Sequence, residues 1–290
     1  MRLSVFAAAI ITAVFFLAVS TAQATLIAYE PFDYQSETYL YNCNGGTDWN
    51  GAWCNAIVPE DGEAIQNIAS PGLTHSDLSV AGNKANLAGS SNGASYVYRK
   101  LSHSYTSGDL DFSGDLYFSF LGEANNDNVL AWGVSLATVG NTSNNSIAPL
   151  GNLVGGITGA PDTSPPHFCL SETSAVSGVS TFPTGTVSLV VAKFNLATGD
   201  AQMYVFPTGS TISSTPGTPA ATLTGAGSMG TINGIRIYAI GGDNAANVDI
   251  DEIRVGTEFA DVVPEPSALV LLAIGGGIMA VYSCRRRKRA

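Results

Sequence analysis

Between residues 25 and 263, apolar positions recur at the two-residue spacing of strands or in short continuous runs, and almost nowhere at helical spacing. The clearest runs cover 96–101, 116–121, 129–136, 187–194, 201–206, 232–240 and 248–255. Leu130, Trp132, Val134 and Leu136 alternate with small residues, so one face of that strand is expected to be buried. From Val187 to Phe194 the chain is apolar on nearly both faces, the pattern of a central strand covered on two sides. Asn195 to Asp200 joins that run to 201–206 and reads as a hairpin, with Gly199 at a turn position that needs positive φ. Many strands at short spacing, without helices between them, predict an all-β fold: a two-sheet antiparallel jelly-roll sandwich. Stretches 42–95, 141–152, 158–185 and 208–230 are polar and rich in Gly and Pro, and read as loops. No linker or tandem repeat divides the region, so it reads as one domain.

Two further apolar stretches lie at the ends. Arg2 is followed by an apolar run from Val5 to Val19 and then by Ala22-Gln23-Ala24, a small-x-small pattern. Residues 1–24 therefore read as a signal peptide cut after Ala24. At the other end, residues 263–290 hold Val263-Pro264-Glu265-Pro266, an uncharged run over 267–284, and the basic residues Arg285, Arg286, Arg287, Lys288 and Arg289. As one transmembrane helix that run would rise roughly 27 Å, close to the ~30 Å hydrocarbon core. The basic cluster acts as a topology stop on the cytoplasmic side, leaving residues 25–262 outside. Pro264 and Pro266 hold the short motif extended. This order of Pro-rich motif, membrane-length segment and basic stop resembles the PEP-CTERM sorting signal of Gram-negative surface proteins. The resemblance implies export, an inner-membrane-anchored precursor, processing by an exosortase as partner, and delivery to the cell surface or extracellular matrix.

Removing both ends changes the charge. The region between them keeps Lys84, Arg99, Lys100, Lys193, Arg236 and Arg254 against 22 of the 23 acids, a net charge of −16. Such a surface repels phosphates and disfavours nucleic acid as a partner. Cys43 and Cys54 are candidates for a local disulfide in an exported segment, worth about 3 kcal/mol, with free buried thiols as the alternative. Cys169 is then unpaired or exchanges with one of them.

A second resemblance rests on three motifs: Tyr29-Glu30-Pro31-Phe32-Asp33-Tyr34, Gly45-Gly46-Thr47-Asp48-Trp49-Asn50-Gly51-Ala52-Trp53, and Asp251-Glu252-Ile253-Arg254-Val255-Gly256. They resemble exported LamG-like, concanavalin A-type jelly-roll domains. The likeness implies a sandwich whose first and last strands are adjacent, and no single activity.

Motifs with the letters of catalytic or binding sites lack the context that the chemistry needs. Gly89-Ser90-Ser91-Asn92-Gly93 fits a nucleophile elbow in letters, yet a strand follows where a helix is needed. Gly225-Ala226-Gly227-Ser228-Met229-Gly230 likewise leads into a strand and not into a phosphate-binding helix. Asp109 to Asp115 starts like an EF-hand loop, but Phe120 stands where the bidentate Glu belongs. Ca²⁺ is the one cofactor with candidates, in looser loop sites around Asp127 and Asp243, and solvated acidic turns are the favoured reading of both. Asp249, Asp251 and Glu252 form the densest acid cluster, but their D-x-D-E spacing departs from the E-x-D-x-x-E and E-x-D-x-E patterns of glycanases of this superfamily. His75, His103 and His167 are scattered. Trp49 and Trp53, in a loop with Tyr39 and Tyr41, either contact sugar or staple the loop to the core, and the staple is the favoured reading. The expected protein is thus a non-enzymatic exported surface or matrix protein, in contact with exopolysaccharide. A carbohydrate-binding lectin-like module is the first alternative and a divergent glycan hydrolase the second.

Overall fold

The computed structural model describes residues 26–55, 66–75, 78, 80, 82–87, 94–109, 114–124, 132–138, 155–159, 167–172, 175–181, 185–213, 215–225, 227–240 and 248–263. The described chain forms β1 (Leu26–Glu30), β2 (Cys54–Asn55), β3 (Gln66–Ala69), β4 (Lys84–Leu87), β5 (Ala94–Tyr105), β6 (Asp115–Ala124), β7 (Trp132–Ala137) and β8 (Gly155–Gly159). It continues with β9 (His167–Glu172), β10 (Ala175–Thr181), β11 (Ser188–Asn195), β12 (Ala201–Pro207), β13 (Ala221–Leu223), β14 (Ile232–Ile240), β15 (Val248–Gly256) and a four-residue helix, α1 (Phe259–Val262).

The strands build two antiparallel sheets. One runs β13-β12-β11-β6-β15-β4-β3, with β1 also on β15; the other runs β10-β9-β8-β7-β14-β5-β2. The first and last strands are therefore neighbours, as expected, with Tyr29 opposite Arg254. The hairpin of β11 and β12 pairs Phe194 with Ala201, and Gly199 takes a φ of 77° in its turn.

Burial follows the alternation. From one sheet, Leu116, Phe118, Phe120, Val190, Ala192, Phe194, Val248 and Ile250 enter the core between the layers; Val97, Trp132, Val134, Leu136, Ile235 and Ile237 enter from the other. Phe118 lies parallel to Phe194 with centroids 5.8 Å apart. Phe120 meets Trp132 edge-to-face across the layers at 6.2 Å. The opposite side of β11 is apolar as well. Leu189 and Val191, with Tyr117, Leu121 and Tyr204, form a second cluster capped by Leu73, Ile212, Phe259, Val262 and Val263. A third layer of chain thus covers the outer face of this sheet, which explains why 187–194 is apolar on both sides.

Three stretches read as loops contain strands instead. Residues 42–95 hold β2, β3 and β4 and bury Trp53, Ile68, Leu73, Ala85 and Leu87. Residues 158–185 hold the β9–β10 pair at the end of one sheet, and 208–230 hold β13 at the end of the other. These strands are short or lie towards a sheet edge, where polar side chains are tolerated and the alternation carries little signal. For β7 the expectation of one buried face is too narrow, since every residue from Trp132 to Ala137 is buried. No helix among the described residues is long and apolar enough to cross a membrane. Residues 1–24 and 267–284 lie outside them.

Candidate functional site

The most concentrated polar chemistry lies between the sheets, at the end of β1. Glu30 is wholly buried there and forms an ion pair with Arg99 of β5, in the opposite sheet. Trp53 Nε1 and the Tyr34 hydroxyl each donate to Glu30 Oε2 at 2.8 Å, and the Phe32 amide donates to Oε1 at 2.9 Å. The other Arg99 donors reach Gly51 O at 2.9 Å, Gly45 O at 2.8 Å and Asn44 Oδ1 at 2.9 Å. The guanidinium lies over the rings of Trp49 and Trp53, 5.1 and 5.9 Å from their centroids. Burial, with Glu30 alongside, pushes the Tyr34 hydroxyl well above the ordinary phenol range, so it stays a donor. The first two motifs of the LamG-like resemblance therefore meet on one buried arginine.

This arrangement decides what the loop tryptophans offer. Trp53 is wholly buried, stacked on Phe32 at 6.1 Å, and its N–H is committed to Glu30. It has no free face for a sugar. Trp49 is half-buried and donates to Tyr29 O at 2.9 Å. The expected Cys43–Cys54 bridge is not formed, and both thiols are free. Backbone bonds from Asn42 N to Trp53 O and from Trp53 N to Cys43 O close this part of the loop instead. Cys43 packs against the core while Cys54 is exposed, so the two sulfurs turn to different faces.

The acid cluster of β15 sits where β4 and β1 follow one another along the same edge. Asp249 pairs with Lys84 at 2.6 Å and accepts from Asn86 Nδ2 at 2.6 Å. Asp251 accepts from the amides of Leu73 at 2.9 Å and Glu252 at 2.8 Å. Glu252 has a φ of 54°, and the register slips between Asp251 and Arg254. This bulge re-phases the strand: Val248 and Ile250 point into the core before it, Ile253 and Val255 after it. Without the extra residue, Glu252 and Arg254 would face the core. Instead they pair at 3.0 Å, and the Tyr29 hydroxyl donates to Glu252 at 2.8 Å. The acids thus hold the terminal strand to its neighbours and do not face each other across a cleft. The shallow cleft of about 340 Å³ lined by Asn50, Lys100, Leu101, Ser102, His103, Ser104 and Asn233 contains no carboxylate in its lining.

Burial pushes the Asp251 carboxyl up to about 8, with Glu252 adding to the effect while the two amides and Lys84 oppose it. The unfolded value is near 3.9. The folded state therefore keeps a proton that the unfolded chain has lost, and stability falls as pH rises from about 4 to about 8, then levels. Asp251→Asn removes this contribution. Urea midpoints measured from pH 5 to 8 are expected to decline less in Asp251→Asn than in the parent; equal declines would contradict the assignment.

The remaining candidates divide by position. His75 is buried, its Nε2 3.1 Å from Phe206 O, and His103 Nδ1 lies 2.9 Å from Ser102 Oγ. No group of His, Cys, Asp and Glu suited to a metal occurs among the described residues. Ala22, Ala24, Asp127, Asp243, Pro264, Glu265, Pro266 and the cluster from Arg285 to Arg289 lie outside the described residues. Val263 lies inside them and is buried. Tyr39 and Tyr41 are the exposed large hydrophobics, at 56% and 45%, with Leu40 buried between them.

Residues 262–288 match the family model described as the PEP-CTERM protein-sorting motif. No curated protein matches the chain. Among solved structures, lectin II from Ulex europaeus is 10% identical, with 79% of this chain and 96% of that chain covered and a TM-score of 0.42. The carbohydrate recognition domain of Emp47p is 10% identical, covering 82% and 99%, at 0.40. A sialidase is 14% identical, and the match covers 71% of this chain but only 16% of the sialidase, at 0.40. These likenesses are too distant to assign an activity, and the architecture rests on the strand pairing described above.

Proposed function

We propose that this chain is an exported, non-catalytic surface or matrix protein, delivered by an exosortase acting on its C-terminal signal. The observation that carries the reading is the sorting-motif match over residues 262–288, which sets the motif directly against the sandwich at Val262 and Val263. A signal peptide over 1–24 and an uncharged run over 267–284 fit the same route. The commitment of Asp249, Asp251 and Glu252 to structural partners supports a non-catalytic role. Changing Pro264, Glu265 and Pro266 together to alanine is expected to leave an unprocessed, membrane-retained precursor on fractionation and immunoblotting. Normal cutting and release of that variant would sink the reading.

A glycan-contacting role is the second reading, favoured by Tyr39 and Tyr41. Both rings are exposed on either side of buried Leu40, at the entry to the turn closed by the Cys43 amide on Leu40 O, and such rings stack on sugar faces. On a glycan array, Tyr39→Ala with Tyr41→Ala is expected to abolish binding seen with the parent. Binding that survives the double substitution would remove this assignment.

A further inference from the structure

We propose that residues 257–263 are a latch that must leave the sandwich before the sorting signal is processed, so that the fold of the exported domain controls its own maturation. This inference rests on reading the tail as a sorting signal.

The matched signal begins at residue 262, yet Val262 is wholly buried and Val263 is 2% exposed. Ser119 Oγ, in the middle of β6, donates to Val262 O at 2.6 Å. The Val263 amide donates to Phe259 O at 3.1 Å. Asp261 Oδ2 accepts from the amides of Thr257 at 2.9 Å and Glu258 at 2.7 Å, closing the turn that leads out of β15. The Phe259 ring stands edge-on to Tyr117, Tyr204 and Phe206, with centroids 6.4, 5.6 and 6.3 Å away. Gly256 permits the close approach, because a Cβ there would lie 2.4 Å from Asp261 Cβ. Residues ahead of the motif are thus part of the outer layer of the sheet and not a stalk.

Chain length makes this packing consequential. Only Pro264, Glu265 and Pro266 separate Val263 from the uncharged run that starts at Ser267. Three residues span at most about 10 Å. An enzyme that reads a peptide commonly takes it extended, along several residues. With the latch seated, Phe259 to Val262 are helical and Val263, though extended, is buried, so no exposed extended run leads into Pro264. The latch takes no part in bond cleavage; it sets the fraction of precursor that the enzyme can engage.

The test is pulse-chase of the full-length precursor in cells that process it. One variant carries Gly-Ser-Gly-Ser-Val-Val inserted after Val263, which gives the motif a free copy of its preceding residues and leaves the latch intact. A second is Phe259→Ala, which removes the aromatic seat. Both are expected to shorten the precursor lifetime on the order of tenfold, because only the open fraction of the parent is competent. The insertion decides, since it does not touch the packed residues: an unchanged or longer lifetime overturns the latch. The variant with Pro264, Glu265 and Pro266 all alanine separates the two ideas. If it blocks processing while the insertion has no effect, the latch fails and the sorting reading stands; if it is processed normally, both fail.

Discussion

Glu30→Ala is expected to lower the unfolding free energy of the exported domain by about 3–5 kcal/mol, the cost of leaving a buried partner charge uncompensated. Arg99 is 1% exposed and spans the two sheets, so no water replaces the lost carboxylate. The same substitution removes the acceptor for Trp53 Nε1, the Tyr34 hydroxyl and the Phe32 amide, each a buried or half-buried donor. Glu30→Gln keeps the volume but not the charge, and most of the loss is expected to remain. Replacing both partners, Glu30→Gln with Arg99→Met, is expected to cost less than the sum of the single changes, because neither charge is then stranded. Urea unfolding of the four proteins measures the cycle. A loss below about 1 kcal/mol for Glu30→Ala would place the pair with ordinary surface salt bridges and contradict its role as the inter-sheet tie.

Trp132→Ala is the second large effect, also about 3–5 kcal/mol, from lost burial and the cavity left behind. Trp132 stands on β7, is 1% exposed, and meets Phe120 of the opposite sheet edge-to-face. Its loss opens a cavity in the core beside Phe120. Trp132→Phe keeps an aromatic edge at that contact and is expected to recover about half of the loss. Urea midpoints measure both. If alanine and phenylalanine destabilise equally, neither the filled volume nor the ring contact accounts for the loss.

β5, β6, β7, β11, β12, β14 and β15 are legible in the sequence, and for one reason, whereas the glycine-rich β8 is not, although it is interior to its sheet. Runs such as Leu189 to Phe194 and Ile232 to Tyr238 bury their apolar side chains, so their apolar spacing is strong. β2, with two residues, and β13, with three, are too short to show a period. β10 intersperses serine, glycine and threonine with apolar residues, and β9 offers only the short run Phe168-Cys169-Leu170, so both pass for loop. The buried cluster was half visible. Glu30, Trp49 and Trp53 stood in recognisable motifs, but nothing local joins them to Arg99, 69 positions from Glu30. An unusual signal was available: Arg99 is one of six basic residues in a strongly acidic region, and it interrupts the apolar run Tyr96, Val97, Tyr98. In the acid cluster of β15, Arg254 stands two residues from its partner Glu252, but the bulge at Glu252 that makes the pairing possible leaves no mark in the residue pattern.

If the C-terminal signal determines the fate of the protein, the mass of the mature chain records it. Intact-mass spectrometry of protein recovered from outside the cell is expected to show a species that begins at Thr25 and lacks the uncharged run and the basic cluster after it. A mature protein that still carries residues 267–289 would contradict processing at this signal and with it the proposed route.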